Sequence, residues 1–310
     1  MWAKDKKSLN SSYLKWLLLA ILSLTWGSSF ILIKQCLLVF SPYQVGALRM
    51  CIAGLALAFF GIKNLKHIPR KLFPWVILAS CLGNFIPMFL FPLAQQQVNS
   101  SLAGILDSLV PIFILLFGFL FFGTKSSLKQ VSGAVIGFLG AAILMGDDGG
   151  GGTSNLFYSL LIVLATAFYG INGLIVGNFL SGIPSFKLSS SVFTIWLGPS
   201  LIILGLSGFF SEFHGTQEQW VGLGYVSILG LVGTALAMAL FYKLIQSTSP
   251  IFASTVTYLM PLVAMGWGFL DGEKFSLMHA LGCFLILLGI YLIQGKPEVS
   301  TEMKEQCTSL

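Results

Sequence analysis

The sequence predicts an all-α integral membrane protein in which ten transmembrane helices form two inverted five-helix repeats. Its composition, the length of its apolar segments and a weak internal repeat indicate this class. Of the 310 residues, 56% are hydrophobic and 9% are charged, and the mean hydropathy is +0.89. A soluble domain carries about 25% charged residues. The composition therefore excludes a water-soluble surface, and the bilayer is the solvent to consider.

A transmembrane helix needs about 20 mainly apolar residues. Ten segments meet this condition, at about 15–34, 42–62, 73–93, 98–122, 128–146, 155–179, 187–207, 219–243, 250–270 and 276–294. The connectors between them are too short for a soluble domain. The predicted division is an N-terminal tail 1–14, a first repeat 15–146, a glycine-rich external linker 147–154, a second repeat 155–294 and a C-terminal tail 295–310.

The basic residues predict the orientation of these helices. Of the 17 Lys and Arg residues, all but Lys34, Lys274 and the intramembrane Arg49 fall in the termini and loops of one side. Because cytoplasmic loops carry the excess of Lys and Arg, both termini are predicted to be cytoplasmic. A net charge of +6 spread over short loops does not indicate a nucleic-acid partner.

A weak internal repeat divides the helices into two sets of five. Residues 101–120 align with the chain 150 positions later, which pairs Pro111 with Pro261, and at an offset of 149 Gly133 pairs with Gly282. Five is an odd number, so the second set must be inverted in the membrane. Secondary transporters have this plan, with the substrate site near the midplane between the repeats. A duplicated scaffold without a transport role is the alternative.

Several short motifs also resemble a known family. They are Trp26-Gly27-Ser28-Ser29-Phe30, Pro42 with Arg49, the stretch 103–111, and Gly272-Glu273-Lys274 with Gly282 and Gly289. Over residues 13–295 the chain resembles the EamA-type branch of the drug/metabolite transporter superfamily. The resemblance implies a ten-helix carrier in a cytoplasmic membrane that moves small metabolites, often outward. In one departure, Thr124 stands where the family often has Glu, whereas Glu273 is kept in the second half.

Two ionisable side chains lie well inside the predicted spans. Arg49 lies about 10 Å, and Asp107 about 13 Å, from the outer end of its helix at 1.5 Å per residue. A lone charge at the bilayer centre costs on the order of 2.5–3.5 kcal/mol, so each needs a partner or a watery cavity. Arg49 could hold Asp107 ionised or bind a substrate carboxylate. A buried structural pair and a titrating Asp107 that couples transport to protons are the alternatives.

A second set of candidate substrate-binding residues consists of polar and aromatic side chains at mid-depth. They are Trp26, Ser29, Asn84, Tyr169, Asn172 and Tyr258. Such groups can hydrogen-bond a solute while the pocket stays largely apolar. Ordinary interhelical contacts are the alternative for each of them.

Prolines within the predicted spans are candidate hinges, because each frees a backbone carbonyl and permits a bend. They are Pro87, Pro111, Pro199 and Pro261.

The function expected from these features is that of a secondary transporter for an amino acid, a nucleotide-like compound or a drug-like solute, with export the expected direction. The chain lacks a phosphate-binding loop and metal-ligand spacing, so no cofactor or metal is expected. A passive channel and an intramembrane enzyme acting on lipid-linked substrate are the alternatives. We expect a multi-pass protein of the cell membrane, in contact with lipid, as a monomer or homodimer, and proton or sodium coupling is left open.

Overall fold

The structure is a computed structural model that describes residues 12–124, 127–146, 152–273 and 276–293. These residues form helices and loops without a strand. The long helices are α1 Ser12–Leu37, α2 Pro42–Leu65, α3 Arg70–Ala94, α4 Ser100–Phe122, α5 Leu128–Gly146, α6 Gly152–Phe179, α7 Ser185–Leu206, α8 Gln217–Ser247, α9 Pro250–Leu270 and α10 Leu277–Ile293. Eight are long and apolar enough to cross a membrane, and α5 and α10 contain shorter apolar stretches. The prediction of an all-α integral membrane protein is confirmed for the described residues.

The predicted tails and linker lie almost wholly outside the described residues. Within the described part, 12–14 belong to α1 and 152–154 belong to α6. The division into two five-helix repeats stays a prediction.

Polar residues at the helix starts explain several boundaries. Ser41 caps α2: its side chain accepts from the backbone N–H of Gln44, whose side chain accepts in turn from the backbone N–H of Ser41. Thr216 and Gln219 form the same capping box at the start of α8. Each box satisfies two backbone donors that a helix start leaves free.

The distribution of apolar side chains is that of a protein surrounded by lipid. Phe59, Leu206 and Leu277 are more than 80% exposed on the outside of the helices, whereas Tyr242 and Phe193 are fully buried among them. In a water-soluble protein an exposed apolar surface of this extent would be an aggregation site. Lipid covers it without cost, and the helices satisfy their own backbone groups.

The helices pack in pairs that repeat along the chain. Helix α2 packs along α7, and α5 packs along α10. Helix α1 contacts α8 and α9, and α6, five helices later in the chain, contacts α3 and α4. The α1–α8 contact therefore corresponds to the α6–α3 contact, and the α1–α9 contact corresponds to the α6–α4 contact. Glycines allow the closest approach: a Cβ at Gly133 or Gly289 would overlap the backbone of the opposite helix in the α5–α10 pair.

Four of the helices are interrupted within their length. Helix α3 contains a π-helical turn at Cys81–Phe85, and α8 contains one at Leu231–Leu236. Helix α4 is broken between Asp107 and Val110, and α9 is broken at Thr255. The two π turns lie 150 residues apart, the same offset as the internal repeat. Such turns occur often at functional sites because they free backbone carbonyls.

The predicted hinge prolines lie at different distances from these interruptions. Pro87 follows the π turn of α3, and Pro111 follows the break of α4. Pro261 lies inside α9 beyond its break, and Pro199 lies inside α7. Their role as hinges stays a prediction.

Candidate functional site

The interrupted helices surround a central cavity. Side chains from α1, α2, α3, α4, α6, α8 and α9 line it. Six of the eight predicted binding residues are in its wall: Trp26, Ser29, Arg49, Asp107, Tyr169 and Asn172. The structure therefore brings together residues that are far apart in the sequence.

Arg49 of α2 is held by the π turn of α8. Its side chain is buried, its Nε donates to Thr234 Oγ1 at 2.6 Å, and its Nη2 donates to the Gly233 carbonyl at 3.4 Å. The Thr234 hydroxyl donates onward to the carbonyl of Leu229 at 2.8 Å. Trp26 Nε1 donates to the same Gly233 carbonyl at 2.9 Å. The π turn thus fixes both a cation and an indole on one wall of the cavity.

Asp107 lies at the break of α4 and is 4% exposed. Its Oδ1 has no hydrogen-bond partner in the described part of the chain. The salt bridges found among the described residues join Lys34 to Asp271 and Glu273, and none joins Arg49 to Asp107. Because a buried carboxyl oxygen without a partner is costly, a ligand group or a proton that reached it would relieve this cost.

The opposite wall is built by the π turn of α3. Gly83 faces Asn172 of α6 so closely that a Cβ would overlap the amide. The Asn172 Oδ1 has no hydrogen-bond partner among the described residues. Asn84, predicted as a binding residue, is fully buried outside the lining set, and its amide donates to the Tyr242 hydroxyl at 3.0 Å. It links α3 to α8.

Most of the remaining lining residues are apolar, and several of them are aromatic. Tyr169 stacks on Phe91 with ring centroids 5.9 Å apart, and Trp26 meets Phe241 edge to face at 4.9 Å. Tyr258, also predicted as a binding residue, packs against the buried core and is not among the lining residues. A largely apolar cavity with a few fixed polar groups is the usual form of a small-molecule site.

Sequence reasoning missed the residues that position the predicted ones. Thr234 and Gly233 hold Arg49, and Gly83 admits Asn172. One signal could have found the glycines, because Gly83 and Gly233 are separated by the 150-residue offset of the internal repeat. Thr234 stands at the counterpart position of Asn84, and a threonine in an apolar helix carries no signal of its own.

Comparison with known proteins identifies the family. The profile of the EamA-like transporter family matches residues 14–146 and, a second time, residues 156–295. The chain belongs to the EamA-like transporter family. The resemblance seen in the motifs, to the EamA-type branch of the drug/metabolite transporter superfamily, is confirmed.

Relatives of this family member are named as transporters in bacteria and archaea. It is 27% identical over 295 residues to the inner membrane transporter YedA of Escherichia coli K12, which covers 92% of this chain and 94% of YedA. It is 25% identical to a transporter of Archaeoglobus fulgidus, over 91% of this chain and 99% of that one. A solved crystal structure with 17% identity matches its fold with a TM-score of 0.62, over 92% of this chain and 98% of that chain. The family member is thus a multi-pass membrane protein.

Proposed function

We propose that this protein is a secondary transporter that carries a small polar metabolite across the cell membrane by alternating access, with export as its direction. The substrate site is the central cavity between two inverted five-helix repeats. Both termini are cytoplasmic, so the ends of α1, α3, α7 and α9 at Leu37, Ala94, Leu206 and Leu270 face outward. The protein works as a monomer or homodimer, and its cargo is an amino acid, a nucleotide-like compound or a drug-like solute.

The packing of the helices supports the two-repeat arrangement. The contacts of α1 with α8 and α9 recur as the contacts of α6 with α3 and α4. The α2–α7 and α5–α10 pairs each join helices five positions apart, as a pseudo-two-fold axis between two repeats requires. The π turns at Cys81–Phe85 and Leu231–Leu236 are counterparts at the repeat offset. In alternating access the two halves exchange conformations around a fixed site, and matched interruptions give both halves a place to bend.

The observation that carries the proposal is that Arg49 and Asp107 both line the cavity and form no salt bridge with each other. Arg49 is held by Thr234 and Gly233, and Asp107 leaves one oxygen without a partner in the described residues. A solute with an acceptor group such as a carboxylate and a donor group such as an ammonium would satisfy both. This arrangement favours dipolar metabolites over solutes with a single charge.

The test is counterflow in proteoliposomes that contain the purified full-length protein. Vesicles are loaded with a panel of unlabelled amino acids, nucleotides and cofactors, and uptake of each labelled member is followed with and without a pH gradient. Saturable counterflow of one class supports the carrier and names its substrate. We expect Arg49→Gln and Asp107→Asn to weaken it at least about tenfold, since each removes a charge-assisted contact.

Thr166→Val is the matched control, because Thr166 is buried on α6 and its hydroxyl donates to the Val163 carbonyl outside the cavity. Loss of only the gradient-driven component in Asp107→Asn would make Asp107 the site of proton coupling. Flux that does not saturate and shows no counterflow supports a passive channel instead. The absence of exchange for every panel member contradicts the carrier for those solutes and raises the alternative of an enzyme acting on lipid-linked substrate.

A further inference from the structure

A carboxylate joins the end of α9 to the start of α4, at the end of the molecule where α1 ends. Glu273 accepts at Oε1 from the Ser100 N–H at 3.0 Å and the Ser100 hydroxyl at 2.6 Å. At Oε2 it accepts from the Ser101 N–H at 3.1 Å and from the Ser101 hydroxyl. Gly268 has no room for a Cβ beside this cluster. A carboxylate at a helix start also satisfies free backbone donors and the helix dipole.

A lysine brings a third helix into the same cluster. Lys34 Nζ, near the end of α1, lies 2.9 Å from Glu273 Oε1 and 2.6 Å from Asp271 Oδ2. Gln35 donates to Asp271 Oδ1 at 3.2 Å. The Glu273 side chain is 4% exposed. Helices α1, α4 and α9 are therefore tied together at one end of the cavity.

The charge state of Glu273 is set by these contacts. Burial acts to raise the pKa of Glu273, but the hydrogen bonds from Ser100, Ser101 and Lys34 outweigh it and hold the pKa below its ordinary value. The carboxylate form therefore persists at neutral pH, and each bond that it accepts is charge-assisted.

The opposite end of the cavity has a similar helix end, one residue longer, without the carboxylate. The N–H of Glu273 donates to the Gly268 carbonyl, and the N–H of Thr124 donates to the corresponding Gly118 carbonyl. Thr124 thus occupies the position of Glu273 in the first half of the chain. Its short hydroxyl side chain has no charge with which to bind a helix start.

The partners of the carboxylate are also missing at that end. Ser100 and Ser101 correspond, at the repeat offset, to Pro250 and Ile251. Proline has no N–H and isoleucine has no hydroxyl, so this helix start offers one of the four donors found at the other end. Ser100 and Ser101 are buried, whereas Pro250 and Ile251 are half-buried and Pro250 lines the cavity.

We propose that the contacts of Glu273 with Ser100, Ser101 and Lys34 form an outer lock, which is a set of bonds that keeps the cavity closed to the outside. Because Thr124 is no counterpart of this carboxylate, the empty protein rests with its cavity open to the cytoplasm. The inside and outside in this statement rest on the orientation given under the proposed function. A contact present in one conformation and absent from the other shifts the equilibrium by its own free energy. Outward opening must break the bonds of Glu273, whereas among the described residues no carboxylate ties the end of α4 to the start of α9 at the other end.

The test measures access to the cavity from the outer face and needs no substrate. Ile33 lines the cavity one residue before Lys34, so Ile33→Cys is a reporter for a membrane-impermeant thiol reagent added to spheroplasts. Protein without the reporter gives the background of the natural cysteines. We expect slow labelling with Glu273 present and at least about tenfold faster labelling with Glu273→Gln, the change expected for the loss of one charge-assisted bond.

Two further variants separate a lock from a general loss of charge. Glu218→Gln removes an exposed carboxylate at the start of α8, at the same end of the molecule, and should label at the rate of the parent. Lys34→Gln should have a smaller effect than Glu273→Gln, because the bonds from Ser100 and Ser101 remain. The same reagent on inside-out vesicles should label Ser254→Cys, also on the cavity wall, faster than it labels Ile33→Cys from outside.

If Ile33→Cys is labelled at the same rate in the parent and in the Glu273→Gln variant, the outer lock is overturned. Faster labelling of Ile33→Cys from outside than of Ser254→Cys from inside, in the parent, overturns the cytoplasm-facing rest state. Failure of counterflow for the whole panel would count against the proposed function alone, since these labelling rates are measured without any solute.

Discussion

Thr234→Val removes the hydroxyl that holds Arg49 and changes almost nothing else. Valine has the shape of threonine, and position 234 is fully buried. The variant deletes the 2.6 Å hydrogen bond from Arg49 Nε and the bond from Thr234 to the Leu229 carbonyl. Arg49 keeps its donation to the Gly233 carbonyl at 3.4 Å. The guanidinium is then a buried cation with one long hydrogen bond to protein.

The expected cost follows from the kind of bond that is lost. A hydrogen bond to a charged group contributes about 1.5–3 kcal/mol to stability, whereas hydrogen bonds between helices in a membrane average about 0.6 kcal/mol. Because the bond to Gly233 remains, we expect the lower end of the first range, about 1.5 kcal/mol in the free energy of unfolding. If the bound solute needs Arg49 in this position, its apparent affinity falls roughly tenfold.

Two measurements on the same preparations check this reasoning. Unfolding in detergent mixtures gives the change in stability, and the half-saturation of counterflow gives the change in affinity. Thr166→Val is the control, since it makes the same substitution at a buried threonine whose hydroxyl donates to a carbonyl of its own helix. Equal losses of stability in the two variants, or an unchanged half-saturation in Thr234→Val, would refute the assignment of Thr234 as the residue that positions Arg49.

Three further predictions concern the cavity walls and the outer lock. Gly83→Ala should lower stability and counterflow because its Cβ overlaps the amide facing it from α6, whereas Gly198→Ala, with no neighbour within 4 Å, should change neither; thermal unfolding compares them. The pKa of Glu273 is held below its ordinary value of 4.5, so Glu273 should stay ionised and keep the outer side closed at pH values above 4.5. As the pH falls through the lowered pKa, Glu273 takes up a proton and the outer side should open. Labelling of Ile33→Cys across pH measures this, and Glu273→Gln should abolish the pH dependence. Exchange of Arg49 and Asp107 should not restore counterflow lost in the single variants, and recovery would show that the two pair directly.

The helical spans could be predicted from the sequence because lipid imposes a simple rule of length and hydrophobicity. The predicted span 42–62 is observed as α2 at Pro42–Leu65, and 250–270 is observed as α9 at Pro250–Leu270. The depth of Arg49 and Asp107 followed from the same rule, and both line the cavity. The contacts that hold Arg49 could not be predicted, because they come from a π turn, which depends on tertiary packing and not on local propensity.

Two of the predicted binding residues lie away from the cavity wall. Asn84 and Tyr258 lie at a suitable depth but not on the cavity, because depth fixes the position along a helix axis and not the direction around it. In α3 the π turn includes Asn84 itself and adds a residue to the turn, so the amide points to Tyr242 behind the cavity wall. An α-helical wheel drawn from the sequence therefore assigns the wrong face beyond the turn.

The two halves of the chain carry different side chains at corresponding positions of the two π turns, and under the proposed function this supports a division of labour. Gly83 and Gly233 stand at corresponding positions in corresponding π turns, so both walls of the cavity have the same means of bending. The next residues differ: Asn84 binds Tyr242 and ties two helices together, whereas Thr234 binds Arg49 and aims a cation at the cavity. If the protein moves a solute as proposed, we expect the movement to depend on the two glycine turns and the choice of solute to depend on the side chains that differ. Substitution at Thr234 should therefore change affinity with little effect on the exchange of conformations, and substitution at either glycine should impair that exchange for every solute carried.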